Sequence, residues 1–236
     1  MNQELAHVIK IYSARTRQEL NSYLIGKSKD TLIAMLVDLL TMYINDKNSS
    51  TIREFITVTL AGYTHKEGKI GYNGFKQDAI IPGKTIKCEA KPKNVNTEEF
   101  EKYKRSARKT SPAKLNGGGN FTDYTPARLQ KDKQEKDLNM LVSGFVDGKL
   151  IYILEFPFNS PDFVKNLEIK IRRWQRKLRG SKSIIGQFLR SADFDYKDFI
   201  KSSNLKIVYL LNKTELSKYK PYIAKGFYNF LEKKAK

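Results

Sequence analysis

Asn139-Met140-Leu141-Val142-Ser143-Gly144-Phe145-Val146-Asp147-Gly148-Lys149-Leu150-Ile151-Tyr152-Ile153-Leu154-Glu155-Phe156 reads as two apolar strands joined by a two-residue turn. Asp-Gly between apolar runs favours the turns whose twist matches a hairpin, so strands are expected over 139–147 and 149–156. The run Leu150-Ile151-Tyr152-Ile153-Leu154 has no polar alternation. Such a strand is covered on both faces, which points to a sheet wrapped by helices.

Helical patterns flank this hairpin. Over residues 1–62, Ser28 or Asp30 can cap a helix with the stripe Leu32, Leu36, Leu39, Leu40 and Tyr43. Ser49-Ser50 opens another, with Ile52, Phe55, Ile56 and Leu60, stopping near Gly62. Core support is the expected role of these helices, with a dimer surface as the other. Thr97 can cap a helix over 98–108, and a short charged helix is expected over 126–137. Ser160-Pro161 opens a helix with the stripe Val164, Leu167, Ile171, Trp174 and Leu178. A shorter helix at 182–190, a buried strand from Leu205 to Leu211 and a terminal helix over 214–234 complete the reading. The expected fold is α/β, a central mixed β-sheet flanked by helices in one domain over 1–236. Its parts are a helical region (1–62), a core (63–212) and a C-terminal helix (213–236).

Composition narrows the function. The chain of 236 residues is 40% hydrophobic, enough for a sizeable core, and carries 44 Lys+Arg against 25 Asp+Glu, a formal charge of +19. An excess of this size favours polyanions through counterion release, so nucleic acid is the expected partner. No apolar run approaches the roughly 20 residues that span a bilayer, so no membrane partner is expected. Residues 1–7 lack a basic stretch followed by an apolar one, so no secretion signal is expected. Cys88 alone cannot form an internal disulfide, which suits a reducing cytosol. One cysteine and two distant histidines, His7 and His65, argue against structural zinc and histidine-based nuclease chemistry. Gly26-Lys27-Ser28 has the end of a phosphate-binding loop but Asn21 where its first glycine belongs, so no nucleotide cofactor is expected.

The chemistry is carried by Asp78 and by Glu89-Ala90-Lys91. Between them lie Ala79-Ile80-Ile81, the turn Pro82-Gly83 and Thr85-Ile86-Lys87-Cys88, which reads as strand, turn and strand over roughly 76–81 and 84–91. Glu89 and Lys91 are two apart and share one face of a strand. Asp78 on the neighbouring strand is expected to converge with Glu89 on a divalent cation. Such an ion stabilises a charged phosphoryl transition state and acidifies water, and it takes few protein oxygens. Lys87 and Lys93 have the same parity as Lys91 and compete with it for the role beside the reacting water.

At these residues the chain resembles the PD-(D/E)xK nuclease superfamily and, within it, type II restriction endonucleases. Gln77 stands where the proline is usually written. The resemblance covers about fifteen residues directly. It implies that Asp78, Glu89 and the Ala90 carbonyl bind Mg²⁺, with Mn²⁺ as a substitute, and that Lys91 orients or activates water. It also implies double-strand cleavage to 5′-phosphate and 3′-hydroxyl ends by a homodimer on a palindromic site. Glu54, on the preceding helix, is a candidate ancillary acid. The alternatives are a repair or recombination nuclease with the same core, and a DNA-binding protein without catalysis.

Two segments are expected to hold double-stranded DNA. From Lys84 to Lys136 there are 14 Lys/Arg against 7 Asp/Glu, including Lys93, Lys104, Arg105, Arg108, Lys114, Arg128 and Lys133. The run Asn116-Gly117-Gly118-Gly119-Asn120, with Thr122 and Tyr124, is the candidate for base readout, since glycine permits close approach and Asn can pair with adenine. From Lys165 to Arg190 there are 9 basic residues against Glu168, and Arg172, Arg173 and Arg176 are expected on phosphates.

Overall fold

A computed structural model describes residues 3–45, 50–66, 71–105, 111–179 and 189–236. At its centre, β5 (Leu138–Val146) and β6 (Lys149–Pro157) pair antiparallel. Asp147 and Gly148 have φ of 47° and 76°, the left-handed conformations that the two-residue hairpin turn requires. Leu150 to Leu154 are wholly buried, as the unbroken apolar run predicts.

The hairpin belongs to a mixed sheet of six strands among the described residues. Its order is β1 (Thr64–His65), β2 (Gly74–Gln77), β3 (Thr85–Val95), β5, β6 and β8 (Lys206–Leu210). Only the β3–β5 pairing is parallel. On one face α1 (Gln3–Ala14), α3 (Lys29–Asn45) and α4 (Ser50–Leu60) bring Leu5, Ile9, Met35, Phe55 and Ile56 onto Phe145, Leu150 and Ile153. Met140, Val142, Leu154 and Phe156 join the larger core of the other face. That core is closed by α7 (Pro161–Arg179), α9 (Lys225–Lys234) and a two-stranded ribbon of β4 (Gly119–Tyr124) and β7 (Leu189–Phe194). Thr125 caps α6 (Pro126–Gln134) by accepting the Arg128 amide at 3.0 Å, and α6 lies over this face.

Several boundaries differ from the sequence reading. On α3, Met35 is buried while Leu32 and Leu36 are exposed, because the helix packs on the core through Met35 and Leu39. The side chains of Leu40, Tyr43 and Leu178 lie outside the description. Asn96, rather than Thr97, caps α5 (Thr97–Arg105) by accepting the Glu98 amide, while Thr97 is held by Asp147. Residues 180–188 lie outside the described residues, and 189–194 form a strand, not the end of a helix. β8 is a half-exposed edge strand, not a buried one. The C-terminal helix is interrupted: Pro221, which has no amide hydrogen, sits in a 3-10 turn between α8 (Lys213–Lys218) and α9.

Candidate active site

Asp78 does not meet Glu89. β2 ends at Gln77, opposite Thr85, and the Asp78 amide donates to the Lys84 carbonyl at 2.8 Å. Lys84 immediately precedes β3 and lies five residues before Glu89, about 17 Å at the rise of a strand. Position 78 also shares the parity of Lys76, whose side chain lies on the opposite face of the sheet from Glu89. The carboxylate instead closes the Pro82-Gly83 turn, accepting the Ile80 and Ile81 amides at 2.8 and 3.2 Å. Those two donors, with Lys84 nearby, hold its pKa below the usual carboxylate range. The short link that sequence spacing suggested is a turn too tight to carry an acid back along the strand.

Glu89 and Lys91 do form a unit. The Lys91 ammonium donates to Glu89 Oε1 at 2.7 Å from the same face of β3. Lys87 is paired with Glu135 at 2.6 Å, and Lys93 donates to Asn116 Oδ1 at 3.4 Å, so the three lysines have different partners. Burial pushes the Lys93 ammonium down. Glu89 is 5% exposed, and its Oε2 is buried without a hydrogen-bond partner. Such an oxygen is costly to leave unpaired and fits a hard cation.

Two further groups complete the cluster, and neither was singled out from sequence as an acid-site residue. Arg128 of α6 reaches Glu89 Oε1 at 3.3 Å, over the rings of Phe121 and Tyr124. Asp132, one turn on, lies 3.8 Å from the Arg128 Nε and accepts from Tyr124 at 2.7 Å and Tyr72 at 3.2 Å. Burial pushes the Asp132 carboxyl up against these partners, and the charge of Glu89 adds to that push. Burial and Asp132 push both tyrosine hydroxyls up as well. The available sequence signal was the spacing Arg128–Asp132, one helical turn on the short charged helix.

Asn73 was also missed. It stands beside Glu89 at the open edge of β3, where its amide donates to the Cys88 carbonyl at 2.9 Å. Its Oδ1 accepts the Ala90 amide at 2.7 Å, and its Nδ2 donates to Glu54 Oε2 at 3.1 Å. Glu54, the candidate ancillary acid, is thereby linked through Asn73 to the Glu89 strand. The Ala90 carbonyl faces the same edge as its amide, since both groups of a strand residue point one way. Glu89 Oε2 and the Ala90 carbonyl therefore suit a divalent cation, and Asp78 does not belong to that set.

The glycines of the run pack against the protein's own chain. A Cβ on Gly118 would lie 2.0 Å from the Phe194 carbonyl oxygen, and one on Gly119 would lie 2.6 Å from Lys91 Cβ. Asn116 is spent on the Gly118 amide and Lys93, and Tyr124 is wholly buried. Asn120 and Thr122 do stay exposed on the ribbon, opposite Asp193 and Ser191, while Phe121, Ala192 and Phe194 face inward. Lys104 and Lys114 are exposed, with Lys104 paired to Glu101, and Arg105 is exposed at the end of α5. Arg108 lies outside the described residues. Lys133 and Arg172 share Glu168, and Arg173 and Arg176 are exposed on α7.

No protein-family model and no curated protein matches the chain. No described helix is long and apolar enough to cross a membrane.

Proposed function

We propose that the chain is a Mg²⁺-dependent endonuclease of double-stranded DNA, of the restriction type, leaving 5′-phosphate and 3′-hydroxyl ends. Mn²⁺ can replace Mg²⁺ in this reading, and the setting is a prokaryotic cytoplasm. The observation that carries it is the state of Glu89: one carboxylate oxygen is held by Lys91 and Arg128, and the other is buried and unpaired. The formal charge of +19 supplies the attraction to a polyphosphate.

Glu89 Oε2 and the Ala90 carbonyl would hold the cation, which when bound offsets phosphoryl charge and acidifies water. Lys91, fixed by Glu89 at 2.7 Å, orients the attacking water and, as an ammonium, offsets the charge that develops on the phosphate. Arg128 offers a planar fork to the phosphate oxygens. The β4/β7 ribbon presents Asn120, Thr122, Ser191 and Asp193 outward, and a two-stranded ribbon is an element the major groove admits. A homodimer on a palindromic site is part of the proposal, because two-fold symmetry would be shared by protein and DNA.

The test is plasmid digestion with Mg²⁺, with and without EDTA. Discrete fragments, lost in Glu89→Gln and Lys91→Ala while DNA binding persists, support the enzyme. Plasmid left intact by the wild-type chain in both Mg²⁺ and Mn²⁺ rejects it in favour of a binding protein.

A further inference from the structure

Resting on the nuclease reading of this pocket, we propose that Glu89 and Asp132 together form its divalent-cation site, and that Arg128 occupies that site when the cation is absent. A hard cation bound to protein usually takes more than one carboxylate oxygen, and Asp78 is not available to supply the second. Asp132 is the acid that the fold does bring to Glu89.

Three observations converge. The Arg128 guanidinium reaches both acids, with Nη2 3.3 Å from Glu89 Oε1 and Nε 3.8 Å from Asp132 Oδ2. Glu89 and Asp132 are 5% and 4% exposed, so two carboxylates are buried around one guanidinium. Glu89 Oε2 is itself buried with no hydrogen-bond partner, an acceptor that the arginine does not satisfy.

Asp132 is equipped for the role. Tyr72 and Tyr124 donate to its two oxygens and fix its orientation, the kind of outer support that ligating carboxylates have. Each carboxylate oxygen accepts twice, so Oδ2 can keep Tyr124 and take a cation in place of the Arg128 Nε. Arg128 is 39% exposed and sits one turn before Asp132 on α6. Its long side chain can leave the acids without disturbing the helix, and a DNA phosphate is a suitable new partner. Cation and DNA entry would then be coupled through one arginine.

Mn²⁺ binding to the full chain without DNA, followed by the loss of the free Mn²⁺ electron-spin signal, tests this. Asp132→Asn and Glu89→Gln should each weaken binding at least ten-fold, and Asp78→Asn should leave it unchanged. Arg128→Gln should tighten binding several-fold, because a competing cation is removed. That sign separates the proposal from a merely structural arginine and keeps it testable if Asp132→Asn does not fold. Unchanged affinity in Asp132→Asn, or weaker affinity in Arg128→Gln, overturns the site. Plasmid cleavage by the same samples separates the two readings. Cutting that persists in Asp132→Asn with unchanged affinity removes this site and leaves the nuclease. Mn²⁺ binding that follows the expected pattern without any cutting keeps the site and removes the nuclease.

Discussion

Lys91 donates to Glu89 Oε1 at 2.7 Å, along one face of a strand whose next lysines in either direction are held by other groups. The pairing predicts a clean division among the three. Lys91→Ala should lower the cleavage rate by about 10²- to 10³-fold, the range for loss of a preorganised donor aimed at transition-state charge. Lys87→Ala and Lys93→Ala should retain cleavage within about ten-fold. Rates on a supercoiled plasmid at saturating Mg²⁺ measure this. An equal loss in Lys87→Ala would move the catalytic role away from Lys91.

Asp78→Ala should leave cleavage intact and lower the thermal midpoint. Its carboxylate accepts two amides of the Pro82-Gly83 turn and is about 17 Å along the strand from Glu89. The sign of the pH effect follows from the direction of the shift. The folded-state pKa is held below the unfolded value of about 3.9. The stabilisation is therefore complete above that value and is lost as pH falls through the folded one. The difference in midpoint between wild type and Asp78→Ala should be constant near neutrality and shrink in acid, which melting curves at pH 7 and pH 3 can read.

The hairpin over β5 and β6 was legible because Asp147-Gly148 and the unbroken run from Leu150 to Leu154 are local signals, and each admits few structures. Glu89 and Lys91 were legible for the same reason, since alternation on one strand needs no tertiary information. Asp78 was misplaced because convergence of two strands depends on register. Here register is set by where the turn closes, with Asp78 itself closing it. Asp132 and Arg128 were out of reach as a site because α6 meets Glu89 only through tertiary packing on Phe121 and Tyr124. The packing of the glycine run was not legible because glycine serves close approach to any partner, and at Gly118 that partner is the protein's own β7 backbone.

Gly118→Ala should act on stability and not on DNA recognition. Its Cβ would lie 2.0 Å from the Phe194 carbonyl oxygen, a backbone atom that cannot rotate away. Overpacking of this kind costs about 1–3 kcal/mol, and contact with backbone places this case at the upper end. Denaturant unfolding should show a lower midpoint with an unchanged slope. The folded fraction should bind DNA with wild-type affinity. A normal midpoint with weakened binding would return the glycine run to the DNA interface.

The basic face of α7 yields a prediction in salt. Arg173 and Arg176 are exposed and have no ion-pair partner among the described residues, whereas Lys133 and Arg172 share Glu168. A cation already paired gains less from a phosphate than an unpaired one, because its existing partner must be displaced. Each phosphate contact contributes about 0.9 to the slope of log affinity against log salt. Arg173→Ala and Arg176→Ala should each reduce that slope by about one, and lower affinity alike for cognate and unrelated duplexes. Lys133→Ala should change it by less than half as much. Fluorescence anisotropy over a salt series gives the slopes, and a parallel shift in Arg173→Ala with no change of slope would place that side chain off the DNA.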